Sequence, residues 1–143
     1  MLFYGKDANP MDHVKKLLEN DRYARHSGIE LTAIAPGSAT AVMTVQKEHL
    51  NGVDIVHGGA IFTLADFAFA AASNSHGTVA VAINASISYL KAAKAGTLTA
   101  EAVEVARTFK IATYQVRVTG EDGELIASFQ GMVYRKKTEI PAI

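Results

Sequence analysis

From residue 57 to residue 77 the chain reads HGGAIFTLADFAFAAASNSHG, and its apolar positions leave no polar face at helical spacing. Ile61, Phe62, Leu64, Phe67 and Phe69, with alanines at 60, 65, 68, 70, 71 and 72, go all the way round a helix over about 58–76. A helix that is hydrophobic on every side belongs in a core. Upstream, Met11, Val14, Leu17 and Leu18 follow helical spacing with Lys15, Lys16 and Glu19 between them, and Pro10 suits a first helical position. A helix is therefore predicted over about 10–25, stopped by Gly28. Residues 29–35 and 39–45 are short β-favouring runs separated by the turn signal Pro36-Gly37-Ser38. Residues 47–56, KEHLNGVDIV, show no clear period and lead into the long helix. Beyond Gly77 the pattern is β throughout, with strands predicted over 78–90, 97–109, 111–119 and 124–134. Ala100, Ala102, Val103 and Val105 alternate with Glu101, Glu104 and Arg107 but slip by one near Val103, the mark of a bulge, and Gly120-Glu121-Asp122-Gly123 is a hairpin turn. The order helix, two strands, long helix, four strands predicts an α+β fold, in which one antiparallel sheet of about six strands curls round one apolar helix.

Two features of the long helix call for chemistry. Gly58 and Gly59 let other groups approach their backbone closely, and the first turn of a helix leaves amide N–H groups without internal partners. That end is rich in donors and electropositive. Asp66, the single charge of the segment, lies eight residues further on, roughly 12 Å along the axis at ~1.5 Å per residue. An ionised carboxylate in such surroundings is costly unless it is paired or hydrogen-bonded. A structural role would tie it to Thr63, Ser73 or a partner chain; a functional one would use it on a substrate.

Composition narrows the classes. At 143 residues the chain has room for one core, so residues 1–143 are taken as a single domain. Hydrophobic residues at 49% and charged residues at 20% suit a globular protein. Fourteen basic and 14 acidic residues cancel and no basic block stands out, which argues against a nucleic-acid partner. With no cysteine, disulfides, thiolate metal sites and cysteine nucleophiles are all excluded. The N-terminal residues hold no apolar run of signal-peptide length, so a cytoplasmic location is expected. Asp66, Ser73, Asn74 and Ser75 interrupt the longest apolar stretch and no positive flank adjoins it, so no membrane span is expected.

Leu50-Asn51-Gly52, His57-Gly58-Gly59, Leu64-Ala65-Asp66, Ala68-Phe69-Ala70 and Asn74-Ser75, in this order and spacing, resemble the hotdog-fold acyl-CoA thioesterases, most closely their phenylacetic-acid-degradation (PaaI-type) branch. The resemblance runs from about residue 15 to 135 and implies a hotdog subunit that dimerises by joining sheets edge to edge, and a homotetramer built as a dimer of dimers. It implies hydrolysis of an acyl-CoA thioester with no metal or cofactor. The amide of Gly58 would polarise the thioester carbonyl, and Asp66 would act on the same carbon as nucleophile or as general base toward water. Asn51, His57, Gly59, Phe62 and Asn84 would contact substrate, and Phe67 and Phe69 would help line an acyl pocket suited to an aromatic ring. At roughly 12 Å apart on one helix, Gly58 and Asp66 of the same chain cannot both reach one carbonyl, so the active site would lie between subunits, two per dimer.

Each of these residues also has a plainer reading. The glycines could serve a tight turn, His57 a helix start and Asn51 a loop, while Asp54, three residues before His57, reads as a solvated loop acid. Where some relatives carry a hydroxyl residue in the strand after the helix to position water, this chain has Ala82, so that role is absent or passes to Asn84 or Ser86. Lys91, Lys94, Arg107, Lys110, Arg135 and Lys136 read as strand ends, some of which could meet the phosphates of CoA. Rival functions are a hotdog hydratase or dehydratase, which needs a histidine paired with the acid, and a non-catalytic acyl-CoA sensor.

Overall fold

The computed structural model describes residues 10–141. The expectation about the N-terminal segment falls largely on residues outside that range. In order the elements are α1 (Pro10–Glu19), α2 (Arg22–His26), β1 (Ile29–Ala35), β2 (Ser38–Thr44), a single 3-10 turn at Lys47–His49, α3 (Gly58–Asn74), β3 (Thr78–Tyr89), β4 (Thr97–Arg107), β5 (Ile111–Thr119) and β6 (Leu125–Glu139). The six strands form one antiparallel sheet in the order β1-β2-β4-β5-β6-β3, with α3 packed across one face. β3 therefore crosses the sheet to pair with β6 at the far edge.

The single helix expected over 10–25 is two helices. Asp21 adopts extended backbone angles (φ −72°, ψ 96°) and its carboxylate accepts from the Ala24 amide at 2.9 Å, a cap that ends one helix and starts the next. α3 stops at Asn74 rather than near 76, because its last residues turn their side chains back on the backbone. Ser75 Oγ donates to Ala72 O at 2.6 Å and Asn74 Nδ2 to Ala70 O at 2.8 Å, while Asn74 Oδ1 accepts from the Ala80 amide of β3. Gly77, at φ 90°, then takes the left-handed turn into that strand. β6 runs five residues past Tyr134, since its end is needed to pair with the start of β3, Thr78 opposite Glu139. The bulge in β4 falls between Glu104 and Ala106, just after the slip near Val103.

At the centre of the core, Phe69 meets Tyr114 edge-on at 5.7 Å and lies 5.5 Å from Phe129. Gly131 of β6 sits directly beneath it, where a Cβ would come within 2.6 Å of the Phe69 ring. The C-terminal end of α3 is locked by a polar cluster. His76 Nε2 lies 2.9 Å from Glu104 Oε1, Tyr114 donates to the same oxygen at 2.9 Å, and Arg107 reaches His76 Nδ1 at 2.6 Å. Burial opposes the charge on Glu104, but the bonds from His76 and Tyr114, with Arg107 close by, outweigh it and hold the carboxyl below its ordinary range. Burial, and then the bond to Glu104, push the Tyr114 phenol up.

α3 is not enclosed on every side within one protomer. Gly59 is exposed, and Phe62, Thr63, Asp66 and Ala70 are only partly buried, which at helical spacing makes one open stripe along its length. One sheet can cover only part of a helix's circumference. Among the described residues no helix is long and apolar enough to cross a membrane.

Candidate active site

The loop before α3 is held as firmly as an element of secondary structure. Leu50 and Val56 form a β-bridge, and the Val56 amide donates to Ala93 O at 2.8 Å. Asn51 Oδ1 accepts from the amides of Val53 (3.0 Å) and Ile55 (3.3 Å), so its oxygen is spent on the loop and its NH2 is the part left to donate outward. Asp54 stands exposed at the loop tip with φ 60°, consistent with a solvated acid. His49, buried at 8% exposure, binds on three sides. Its Nδ1 accepts from the Gln46 amide at 2.8 Å, which leaves Nε2 to donate to Ser27 O at 2.7 Å, and its carbonyl accepts from the His57 amide at 2.7 Å.

This framework delivers His57 as the N-cap of α3. Its Nδ1 accepts from the Gly59 amide at 2.8 Å, and its carbonyl accepts from Ala60 (2.9 Å) and Ile61 (3.2 Å). The amide of Gly58 finds no acceptor among the described residues. It shares a peptide group with the doubly bonded His57 carbonyl, which polarises it as a donor. Of the two HGG amides the structure leaves that of Gly58 open and occupies that of Gly59. Tyr89, at the end of β3, donates its hydroxyl to Gly58 O at 2.9 Å.

Asp66 lies two turns along the same stripe, with no hydrogen-bond or ion-pair partner among the described residues. Burial, and secondarily the charge of Asp21, raise its pKa above the ordinary aspartate value. Phe62, also on the stripe, meets Phe129 edge-on at 5.5 Å. Phe69 is fully enclosed in the core, and Phe67 is buried against an open groove of about 760 Å3 between α1, α2 and β1. That groove is lined by neither Gly58 nor Asp66. The unbroken helix keeps Gly58 and Asp66 the ~12 Å apart that the rise per residue requires.

Asn84 is set apart from these residues. Its neighbour Ala85 pairs with Gly131, which faces α3, so Asn84 points from the opposite face. There it lines a groove of about 340 Å3 with Ser86, Gln115 and Gln130. Neither Asn84 nor Ser86 thus stands on the α3 side of its own protomer, where Ala82 lies. The sequence reading passed over His49 and Tyr89. Gln46 three residues before His49 hinted at a capped turn, whereas nothing local marks Tyr89, whose partner lies 31 residues away.

An antiparallel sheet wrapped on one helix, with an open backbone donor at that helix's start and an unpartnered carboxylate two turns on, has the architecture and the chemical groups of a hotdog-fold hydrolase. The chain belongs to the thioesterase superfamily, whose family model matches residues 54–127, and is a thioester hydrolase of the PaaI type. A relative from Archaeoglobus fulgidus, named provisionally as an esterase, is 44% identical over 139 residues, 96% of this chain and 90% of the relative. Acyl-coenzyme A thioesterase PaaI of Escherichia coli K12 is 38% identical over 120 residues, 83% of this chain and 86% of its own length. The solved structure of the E. coli PaaI protein from the phenylacetic acid degradation operon superposes with a TM-score of 0.88 at 34% identity, over 92% of this chain and 96% of that one.

Proposed function

We propose that the enzyme hydrolyses a small aromatic acyl-CoA, of the phenylacetyl or hydroxyphenylacetyl type, to the free acid and CoA, at sites shared between two copies of the chain. The observation that carries this reading is the open stripe of α3, where a free Gly58 amide and a partnerless Asp66 carboxylate share one helix too far apart to serve one carbonyl. A second copy related by a two-fold axis supplies the missing half to each site. The long edge strand β3, with Val81 and Ile83 exposed at 43% and 55%, is the edge that such pairing covers. A dimer of such dimers makes the tetramer.

At each site the Gly58 amide of one chain stabilises the oxyanion that forms as the thioester carbon is attacked. Asp66 of the other chain takes a proton from the attacking water or attacks the carbon itself. Rapid-quench kinetics distinguish these: attack by Asp66 expels CoA and leaves the acyl group on the carboxylate as a mixed anhydride, so free CoA appears ahead of free acid, whereas attack by water releases the two together. The raised pKa of Asp66 makes it a stronger base than an exposed aspartate. Asn51 donates toward the substrate from its fixed amide, and Phe62 offers the ring surface for an aromatic acyl group.

The test is release of free CoA from a panel of short, long-chain and aromatic thioesters by wild type and Asp66→Asn. Aromatic substrates should turn over fastest, and Asp66→Asn should lose at least about 100-fold in kcat. Near-wild-type turnover by the variant overturns the assignment of Asp66, and preference for long chains overturns the assignment of substrate.

A further inference from the structure

We propose that Tyr89 is a positioning residue for the reaction, restraining Gly58 through its carbonyl and so helping its amide aim at the thioester carbonyl; this rests on the reading of Gly58 as the oxyanion donor. Gly58 does not appear among the glycines of positive φ, so its backbone conformation is open to any residue. A side chain there would crowd Tyr89: a Cβ on Gly58 would lie 3.1 Å from Cζ, 3.2 Å from the hydroxyl oxygen and 3.4 Å from Cε1 of that ring, so the ring would have to give by a few tenths of an ångström. Glycine at this position lets the tyrosine sit against the peptide without displacement.

The contact is polar as well as steric. The Tyr89 hydroxyl donates to Gly58 O at 2.9 Å, which adds a second bond to a carbonyl already committed to the helix ladder. On the other side of the residue, the His57 carbonyl is held by Ala60 and Ile61 and the His57 amide by His49 O. The peptide that carries the open N–H is fixed by the helix and its leading loop, and the next one is held by the helix ladder, by the Gly59 amide on His57 Nδ1 and by Tyr89. An oxyanion donor is effective only when it is aimed before the charge develops, since reorienting it during the reaction would consume the gain. The loss on removing the Tyr89 restraint falls on the transition state and not on substrate binding.

Tyr89 is half exposed at 51%, and its ring stands beside the amide it orients, on the α3 side of β3 opposite the buried Ala127. Because β3 is an edge strand of the sheet, the tyrosine also connects that edge to the reacting amide.

The experiment measures kcat, KM and Tm with phenylacetyl-CoA for Tyr89→Phe, Gly58→Ala, Gly58→Ala/Tyr89→Ala and, in parallel, Asp66→Asn. Tyr89→Phe keeps the ring and should lower kcat about three- to tenfold, with KM and Tm unchanged. Gly58→Ala should lose more, and the double variant should recover part of that loss because the added methyl then has room. Tyr89→Phe with wild-type kcat, or a loss matched by a fall in Tm, overturns the positioning role, as does full activity of Gly58→Ala beside an intact Tyr89. If Asp66→Asn is inactive while Tyr89→Phe is unaffected, only the role of Tyr89 falls. If Asp66→Asn is fully active, the reading of the whole site falls, and that of Tyr89 with it.

Discussion

Asp66 is partly buried and feels the charge of Asp21, so its carboxyl holds a proton to higher pH than an exposed aspartate does. As base or nucleophile it works only when ionised. The acidic limb of the kcat profile should therefore lie above the ordinary aspartate value of about 3.9. Asp21→Asn removes the secondary cause and should move that limb to lower pH while leaving the plateau at neutral pH in place. A limb that stays put in the variant would mean that Asp21 does not influence the reacting carboxylate. The lone acid in an apolar helix was visible in the sequence because charge in such a segment is conspicuous. Its influence from Asp21 was not, because Asp21 reads locally as part of a helix and only folding turns it into a cap beside α3.

Among the elements, the tightest fit is between α3 and β6. Gly131 has no room for a methyl group, with the Phe69 ring lying 2.6–2.8 Å from where a Cβ would be. Phe69 cannot step aside, since Tyr114 and Phe129 hold it from two directions. Gly131→Ala should cost about 1–3 kcal/mol, the usual range for overpacking, read as a lowered midpoint in urea with an unchanged m-value. An unchanged midpoint would show that the ring has somewhere to go. The strands and the central helix were legible because their periods and turn residues are local. The split of the first helix, the early stop of α3 and the extension of β6 were not. The extension of β6 depends on pairing across the sheet, Thr78 with Glu139, while the split and the early stop turn on side-chain bonds to the backbone, Asp21 to Ala24 and Asn74 to Ala70 and Ala80, which apolar spacing does not register.

For the molecule as a whole, the question is whether a site needs two chains. Gly58→Pro deletes the open amide proton at a first helical position, where the proline φ suits the helix, and its Cβ presses on Tyr89 as an alanine's would, so that half-site is disabled on both counts. Mixed with Asp66→Asn and allowed to exchange subunits, two inactive proteins should regain about a quarter of wild-type activity, because half the dimers are then mixed and each of those carries one intact site of two. If both groups acted within one chain, the mixture would stay inactive. The motif residues His57, Gly58 and Asp66 were readable from their order, and helix geometry alone gave their separation. Asn84 shows the limit of that reading. Its face depends on sheet register and on the bulge between Ala82 and Asn84, which no short stretch of sequence reveals.

The polar cluster at the far end of α3 gives the helix a mechanical character. At the end that does no chemistry, Ser75 accepts from the Gly37 amide at 2.7 Å while His76, Glu104, Arg107 and Tyr114 interlock. At the working end the restraints are the clasp of His49 on His57 and the touch of Tyr89 on Gly58. The helix is a beam anchored at its root, with the reacting amide at its tip. Stiffness at the tip is set by one main-chain bond and one side chain, so mutational drift at the root should endanger the fold, whereas drift at Tyr89 should detune the catalyst first.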